Sequence, residues 1–565
     1  MDLQRTLLIV GLAIVSYMMI LQWQEDYGNT VPPQQAQNNS QSYPQDDHVF
    51  AEAAPAGETD VPAAPEDDQT ADIPSDKPVT AKPVRRPIEI ITDVFRITLD
   101  PKGGDIVGVE LLEYAQSLDN KNVPFQLLTK SNAHTYVAQS GLVGGDGPDS
   151  SKSGRPLYRT EQVRYEMGDD NQLVVDLVYQ QDSGARITKR FTFTRGEYLI
   201  DVSYVIDNQT DQPWRAAMFG QIKRDGSEDP GLQNATGFGL PTYLGAAYWD
   251  QEKPYNKVSF DDIDDQRLKQ EVPGGWLAMI QHYFMSAWIP EQDLTHTYET
   301  RKVRGNYIIG FKTPFLKVAP GETETINSRF YAGPKVLKRL ESIEGVDGID
   351  LAVDYGPLFF ISKPLFLLLD YFHSLTGNWG VAIILLTVLV KACFYWLSAK
   401  SYRSMANMRR VQPKLLALRE RHGDDRQKMS QEMMKLYKEE KINPLGGCLP
   451  ILVQMPVFLA LYWALLESVE LRHAPFVFWI QDLSTMDPYF VLPLLMGGSM
   501  FIQQMLNPAP PDPMQARMMK MMPIIFTVFF LWFPAGLVLY WVTNNVLSIA
   551  QQWWITRSIE AAHKK

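Results

Sequence analysis

The stretch WGVAIILLTVLVKACFYWLSAKS, from Trp379 to Ser401, is apolar along most of its length. About 20 consecutive apolar residues are enough to cross the hydrocarbon core of a bilayer. We therefore predict a membrane helix over 379–399, and with it an α-helical membrane protein.

Lys391 is the one full charge within that predicted span. A charge at membrane depth costs about 3 kcal/mol or more, so the side chain is expected to face the protein interior or water. Polar residues at helical spacing share its face, which indicates a wet cavity: Thr387, Lys391, Tyr395 and Ser398. The alternative is a lysine whose long stem reaches the membrane interface.

Composition excludes several classes of protein. The chain has 565 residues, 45% of them hydrophobic, and a net charge of -12. The acidic excess argues against nucleic acid as the main partner, and we expect no specific nucleic-acid site. The two cysteines, Cys393 and Cys448, offer neither a disulfide framework nor a cysteine-based metal site.

The N-terminus is predicted to be a membrane anchor followed by a tether. Residues 1–5 are assigned to the cytoplasm and 6–23 to the anchor, because Arg5 precedes the apolar run and Glu25 follows it. A cleaved signal peptide is the alternative, although residues 22–26 contain no small-residue cleavage site. Residues 24–87 are rich in Pro, Ala, Gln, Asp and Glu, which predicts a disordered periplasmic tether.

Alternating apolar residues predict a large all-β sandwich over 88–345. Turn signals separate its strands, for example Lys102-Gly103-Gly104, Asp182-Ser183-Gly184 and Asp207-Asn208. A short helix over 335–343 closes the domain. No motif pairs its scattered histidines with a nucleophile or metal ligands, so we predict no catalytic residue, no metal site, no cofactor and no enzyme. A sugar or peptide groove remains possible.

Two amphipathic segments flank the central span. Residues 354–378 predict an interfacial helix that dips Phe359, Phe360, Leu367 and Phe372 into lipid. Residues 400–447 are strongly basic and predict a cytoplasmic helical hairpin. Its methionines either pack the two helices together or grip apolar partners. The candidate recruitment residues are Met408, Arg409, Arg410 and Met433.

The remaining apolar segments complete a prediction of six spans, with a five-helix core and both termini in the cytoplasm. Basic residues are concentrated in the loops that this topology places in the cytoplasm. The predicted segments are span 448–466, periplasmic loop 467–488, span 489–506, cytoplasmic loop 507–517, span 518–533, span 535–556 and cytoplasmic tail 557–565.

Polar residues recur inside these spans: Thr387, Lys391, Gln454, Ser499, Gln503, Thr527 and Asn544. They could be glue between helices. Because a lysine lies among them without any Asp or Glu in the spans, we prefer a hydrated groove. A proton- or ion-driven transporter would usually show an acidic partner or an inverted repeat.

Three motifs resemble the YidC/Oxa family of bacterial membrane protein insertases. They are NPLGGCLP at 443–450, QMP at 454–456 and FFLWFPAGLVLYW at 529–541. The anchor, tether and β domain resemble the Gram-negative branch, so the resemblance covers the whole chain.

The resemblance implies an inner-membrane insertase and chaperone for nascent membrane proteins, working alone or beside the Sec translocon. The hairpin and C-terminal tail would receive the ribosome. The groove would open to cytoplasm and lipid and be closed toward the periplasm. The β domain resembles sugar-binding supersandwich folds, which is an analogy of fold alone.

The same resemblance maps groove residues onto this chain. Lys391 stands where the family usually has arginine, which keeps the charge and loses the planar two-pronged donor. Thr387, Gln454 and Tyr540 match other groove positions, and Trp541 stands where relatives often have tyrosine. Gln503 and Asn544 join this set as polar residues within spans.

Two other functions remain open on the sequence. A small-molecule transporter or channel would show saturable solute flux. An envelope enzyme or sensor carried by the β domain would lose its activity when Ile88 to Tyr331 is deleted.

Overall fold

The computed structural model describes residues 60–62, 86–151, 154–232, 242–422, 426–440, 449–507 and 513–563. The predicted anchor at 6–23 and the motif residues 443–448 lie outside these ranges. Of the predicted tether, residues 60–62 and 86–87 are described.

Alternating burial explains the strands of the β domain. In the strand Leu199–Asp207, the side chains of Ile200, Val202, Tyr204 and Ile206 are buried and their neighbours are more exposed. This period of two is typical of a sheet with one face in a core. The strands are β1 (Ile88–Ile91), β2 (Phe95–Asp100), β3 (Asp105–Ala115), β4 (Pro124–Lys130), β5 (Thr135–Val143), β6 (Arg164–Glu166), β7 (Gln172–Gln180), β8 (Arg186–Thr194), β9 (Leu199–Asp207), β10 (Trp214–Asp225), β11 (Gly245–Tyr248), β12 (Asn256–Val258), β13 (Lys269–Pro273), β14 (Leu277–Ile280), β15 (Phe284–Pro290), β16 (Thr295–Val303), β17 (Asn306–Lys312), β18 (Leu316–Val318) and β19 (Thr323–Pro334).

The strands form two sheets. The 11-stranded sheet has the order β13-β16-β17-β10-β5-β4-β3-β2-β1-β6, and β18 pairs with β10. The 8-stranded sheet has the order β12-β11-β14-β15-β19-β9-β8-β7. Side chains from both sheets form one buried core, which includes Trp276 and Trp288. The predicted all-β domain is confirmed.

The predicted turns fall between strands. Gly103 and Gly104, between β2 and β3, have φ of 81° and 63°. Gly184, between β7 and β8, has φ of 109°. Glycine is favoured there because it adopts positive φ without steric cost.

Helices follow the β domain and build the second half of the chain. A first helix, α1 (Phe260–Asp265), lies within the β domain, and α2 (Leu337–Glu341) closes it. The others are α3 (Phe359–Thr376), α4 (Trp379–Cys393), α5 (Tyr395–His422), α6 (Arg426–Glu439), α7 (Leu449–Glu467), α8 (Val491–Leu506), α9 (Pro513–Phe529) and α10 (Ala535–His563). Gly377, with φ of 65°, ends α3, and the side chain of Asn378 caps α4.

The continuous helix predicted over 379–399 is wrong. Helix α4 ends at Cys393, α5 begins at Tyr395, and their axes differ by 68°. The two helices both pack against α10, but their other neighbours differ. Helix α4 packs against α3, whereas α5 packs against α6. Tyr395 and Ser398 therefore do not continue the face of α4.

A helix that crosses a bilayer needs about 20 predominantly apolar residues. No single helix in the described ranges is long and apolar enough to cross a membrane, but α4 and the first part of α5 together are. The six-span topology stays a prediction.

Helix α3 has an exposed apolar surface and a packed one. Phe359 and Phe360 are each 60% exposed and Leu367 is 43% exposed. Phe372 is different, because its ring is half-buried and packs against the helical core. Less of the Phe372 ring is therefore exposed than of the other three side chains, and the contact of all four with lipid stays a prediction.

Helices α8 and α9 approach closely at Gly497. A Cβ added to Gly497 would lie 1.9 Å from Oγ1 of Thr527 on α9. The next residue, Gly498, has no atom within 4 Å of such a Cβ. The two glycines are therefore a matched pair, one in a helix contact and one outside it.

We expect Gly497→Ala to destabilise the helical core by about 1–3 kcal/mol, because overpacking forces the helices apart. Gly498→Ala should stabilise it by up to about 1 kcal/mol, since alanine is the better helix former. Melting temperatures of the two variants in detergent check this. Equal melting temperatures would contradict the close contact.

The β domain docks on the C-terminal end of α7. Nζ of Lys335 lies 2.8 Å from Oε2 of Glu467, and both side chains are buried. Nη2 of Arg472 donates to the carbonyl of Ala115 at 2.8 Å. Phe366, Ala464 and Val469, from the helical half, join the core of the β domain. The two halves of the chain therefore share one interface.

His282 contributes a neutral imidazole to this interface. Its Nε2 lies 2.8 Å from the carbonyl of Leu466, so this nitrogen carries the proton and donates. Burial, together with the nearby charge of Lys335, lowers the pKa of His282 to about 3. The folded protein therefore excludes a proton that the unfolded chain binds below its ordinary pKa of about 6.5.

Stability should consequently fall as the pH is lowered through the window between about 6.5 and 3, because the unfolded state then binds more protons. His282→Gln should make stability less dependent on pH between 7 and 5. Thermal unfolding at a series of pH values tests this. An unchanged slope in the variant would contradict the assignment.

Candidate functional site

Lys391 lies in the last turn of α4, buried against α10. Its side chain is 8% exposed, and Nζ donates to Oγ of Ser548 at 2.7 Å. The Ser548 hydroxyl in turn donates to the carbonyl of Asn544 at 2.7 Å. In the described ranges no carboxylate acts on Lys391. Its charge is therefore held by a hydroxyl and not neutralised by an acid.

A cleft opens beside this ammonium group. We call it the Lys391 cleft; it has a volume of about 240 Å³ and is lined by Lys391, Ala392, Tyr395, Leu547, Gln551 and Trp554. Tyr395 is 50% exposed and Trp554 is 66% exposed, so the rim is accessible. A water occupies about 30 Å³ in the liquid, so the cleft is large enough for several waters or for a side chain.

The bend between α4 and α5 forms this cleft. Helix α4 stops at Cys393 and α5 turns away by 68°, and residues on both sides of this bend line the cleft together with one face of α10. Nε2 of Gln551 donates to the carbonyl of Tyr395 at 3.3 Å, and this bond links α10 to α5 beside the cleft. A straight helix would have placed Tyr395 above Lys391.

Tyr540 and Trp541 belong to an aromatic cluster, away from the Lys391 contact. Tyr540 is buried and stacks on Phe458 at 6.2 Å between ring centroids. Trp541 packs edge-on against Phe458 at 4.4 Å and lies 5.3 Å from the ring of Phe530. These two residues face α7 and the segment after α9, and they form an apolar wall.

The other predicted groove residues are spread along the helices. Thr387 is buried one turn before Lys391 and donates to the carbonyl of Ile383 on its own helix. Gln454, Gln503 and Asn544 are half-buried on α7, α8 and α10. Of these residues, Thr387 and Lys391 lie one turn apart on α4, and Ser548 links Lys391 to the carbonyl of Asn544.

Sequence reasoning missed two residues as members of the site. Ser548 holds the ammonium group, and Asn545 donates to Oγ of Ser499 at 3.1 Å between α10 and α8. Ser548 follows Asn544 by four residues and could have been assigned by spacing on one helix face. The Asn545 bond is a polar link between helices of the kind that the glue hypothesis anticipated.

The candidate recruitment residues lie on α5 and α6, which pack against each other. Arg409 and Arg410 are exposed, whereas Met408 and Met433 are half-buried. Glu440 links the two helices through Lys414 and through Arg410, the latter at 3.5 Å. Residues 423–425, between α5 and α6, lie outside the described residues.

The described ranges contain no group of three or more His, Cys, Asp or Glu side chains that could hold a metal ion.

A large β domain docked on apolar helices, one of which carries a buried lysine beside an open cleft, defines a class: a helical membrane protein with a large extramembrane domain. The comparisons with known proteins then identify the family. Residues 87–368 match the family model for the YidC periplasmic domain, and residues 371–563 match that for the 60Kd inner membrane protein.

Relatives with curated names match over the full length. The protein named membrane protein insertase YidC from Pseudomonas fluorescens (strain SBW25) is 55% identical, with 100% of both chains covered. The protein of the same name from Stutzerimonas stutzeri (strain A1501) is 54% identical, again over 100% of both. A solved structure described as an active YidC insertase has a TM-score of 0.38 and 16% identity, covering 84% of this chain and 92% of that chain. The chain belongs to the YidC family of membrane protein insertases.

Proposed function

We propose that this chain inserts nascent membrane proteins into the inner membrane, using the Lys391 cleft to admit a polar segment of the substrate. The observation that carries the proposal is the buried Lys391 ammonium, which has a hydroxyl partner and lies on an accessible cleft. The names of the full-length relatives support the insertase activity.

The charge of Lys391 suits an acidic or polar tail that must enter a medium of low dielectric constant. Two opposite charges about 4 Å apart attract by about 4 kcal/mol at an effective dielectric constant of 20. Even part of that energy offsets much of the cost of placing a carboxylate at membrane depth. Because Lys391 has no acidic partner among the described residues, its charge is available for such a tail.

The cleft is too small to enclose a helix of the substrate. At about 240 Å³ it accommodates side chains or a short extended segment. The apolar part of the substrate is therefore expected to move along the outside of the helices into lipid. Transfer of that surface out of water supplies about 25 cal/mol per Å² and drives completion without a nucleotide.

The exposed apolar residues of α3 fit a helix that lies against lipid. In this arrangement the chain has six spans, both termini are cytoplasmic and the β domain is periplasmic. Tagging each terminus and testing its accessibility to protease in spheroplasts measures that topology. Cleavage of either tag from the periplasmic side would contradict it.

The hairpin of α5 and α6, with the C-terminal tail, is proposed to recruit the ribosome and its nascent chain. Exposed Arg409 and Arg410 support an electrostatic contact, and half-buried Met408 and Met433 support an apolar one. Cosedimentation of an Arg409→Glu/Arg410→Glu variant with ribosomes tests this. Cooperation with the Sec translocon, a chaperone role and the absence of catalysis belong to the same proposal.

Reconstitution tests the function itself. Liposomes that contain only this protein receive a single-span substrate with an acidic N-terminal tail, and protease protection of the tail measures insertion. Insertion above that in empty liposomes supports the proposal. Solute flux without insertion would instead favour a transporter.

A further inference from the structure

Residues Asp60–Pro62 lie on a groove of the β domain, far from them in sequence. Val61 packs against a separate apolar cluster of Val143, Ala217 and Phe219. In β10 the side chains of Ala217 and Phe219 alternate with those of Met218 and Ile222, which belong to the main core. The segment therefore lies on the face of the 11-stranded sheet opposite to the core.

Three side chains of the sheet hold Asp60. Nε2 of Gln221 donates to the Asp60 carbonyl at 2.6 Å, and Nη2 of Arg301 donates to the same oxygen at 3.0 Å. Nζ of Lys223 forms an ion pair with Oδ2 of Asp60 at 2.8 Å. Both the backbone and the side chain of one residue are thus recognised.

The groove is built by buried polar groups. Gln221 is 1% exposed, and the side chains of Lys223 and Arg301 are each 13% exposed. Gln221 also donates to Oε1 of Gln139, and Arg301 pairs with Glu299, so both are held in place. Buried polar side chains require partners, and the Asp60 carbonyl supplies one to Gln221.

Strand register explains why these groups meet. In neighbouring strands Lys223 faces Ile308, which faces Arg301. One step along the strands, Gln221 faces Gly310, which faces Glu299. Because Gly310 has no side chain, Gln221 packs closely over its backbone; a Cβ on Gly310 would lie 2.7 Å from Cβ of Gln221.

We propose that this surface is a peptide-binding groove whose ligand is a short acidic-aliphatic-proline segment, supplied by Asp60–Pro62 of the same chain. The groove is formed by Val143, Phe219, Gln221, Lys223 and Arg301. The cations select the aspartate, the apolar cluster takes Val61, and Pro62 is buried. Docking fixes a point of the predicted tether on the β domain, and it does not depend on the insertase activity.

Distance measurements between two spin labels test the proposal on the full chain in detergent. With Cys393 and Cys448 replaced by serine, labels are attached to Glu58→Cys and Val163→Cys. A docked segment gives a narrow distance distribution. Asp60→Lys should broaden it and lower the ratio of docked to released chains about tenfold or more, because like charges then meet at Lys223. Glu66→Lys makes the same charge change outside the Asp60–Pro62 segment and should leave the distribution narrow.

Exchanging the charges of Asp60 and Lys223 is the decisive experiment. Lys223→Glu alone should release the segment, and Asp60→Lys combined with Lys223→Glu should restore the narrow distribution. A broad distribution in the unmodified chain would overturn the proposal. So would a distribution unchanged by Asp60→Lys, or an exchange that fails to restore docking while circular dichroism shows a folded β domain.

Discussion

Replacing Lys335 with methionine is expected to weaken the docking of the β domain on α7 by about 3–5 kcal/mol, because it leaves the carboxylate of Glu467 buried without its cation. The side chains of Lys335 and Glu467 are only 1% and 6% exposed. Such a loss would be among the largest that a single substitution produces. Hydrogen exchange of the backbone amides near Tyr283 and Leu466 measures the opening free energy of the interface.

Two controls separate the ion pair from a general effect of substitution. The double variant Lys335→Met/Glu467→Met should recover most of the loss, because an apolar pair of similar volume is often as stable as a buried ion pair. Lys338→Met removes a cation that pairs with Asp370 at an exposed position and should cost less than about 1 kcal/mol. If Lys335→Met and Lys338→Met had equal effects, the buried pair would not hold the interface.

Lys391→Ala is expected to slow the insertion of a substrate with an acidic tail about tenfold or more, which corresponds to about 1.4 kcal/mol of lost stabilisation. Lys391→Arg keeps the positive charge and should retain most of the rate. Ser548→Ala removes only the hydroxyl partner and should have a smaller effect than Lys391→Ala. Initial rates of protease-protected product, measured in liposomes, compare the three variants.

The substrate supplies the matched control for this prediction. A substrate whose tail carries no acidic residue should lose much less of its rate in Lys391→Ala, because no carboxylate is brought to the cleft. An equal loss for acidic and neutral tails would show that Lys391 supports the fold of the helices and not the passage of charge.

Local pattern was sufficient for much of the fold. Alternation of apolar residues predicted the β domain, and glycine turns such as Gly103-Gly104 were found where expected, because both signals act over a few residues. The burial of Lys391 also followed from its surroundings in sequence. The end of α3 at Gly377 and the cap at Asn378 follow from the conformations that these residues favour.

The bend at Phe394 could not be predicted in this way. The sequence around it contains neither proline nor glycine, so no local signal ends α4 at Cys393. The directions of α4 and α5 follow instead from the different helices against which they pack. The expected polar face therefore included Lys391 and Tyr395, which both line the cleft, but it lacked Ser548 of α10, which holds the ammonium group.

Long-range contacts account for the other omissions. Lys335 and Glu467 are 132 positions apart, and Asp60 and Gln221 are 161 apart. Each of these residues is of a type that is common in its segment. Only the folded chain brings the partners together. The tether prediction likewise rested on low hydrophobicity, which carries no information about a docked segment of three residues.

Insertion of a substrate protein into liposomes that contain only this protein is the most direct measurement of its function. Purified, folded protein should protect the acidic tail of a single-span substrate from protease, and Lys391→Ala should reduce that protection strongly while Lys391→Arg preserves it. If the unmodified protein protected no more tail than empty liposomes, while its β domain and helices were shown to be folded, autonomous insertion through the Lys391 cleft would be contradicted.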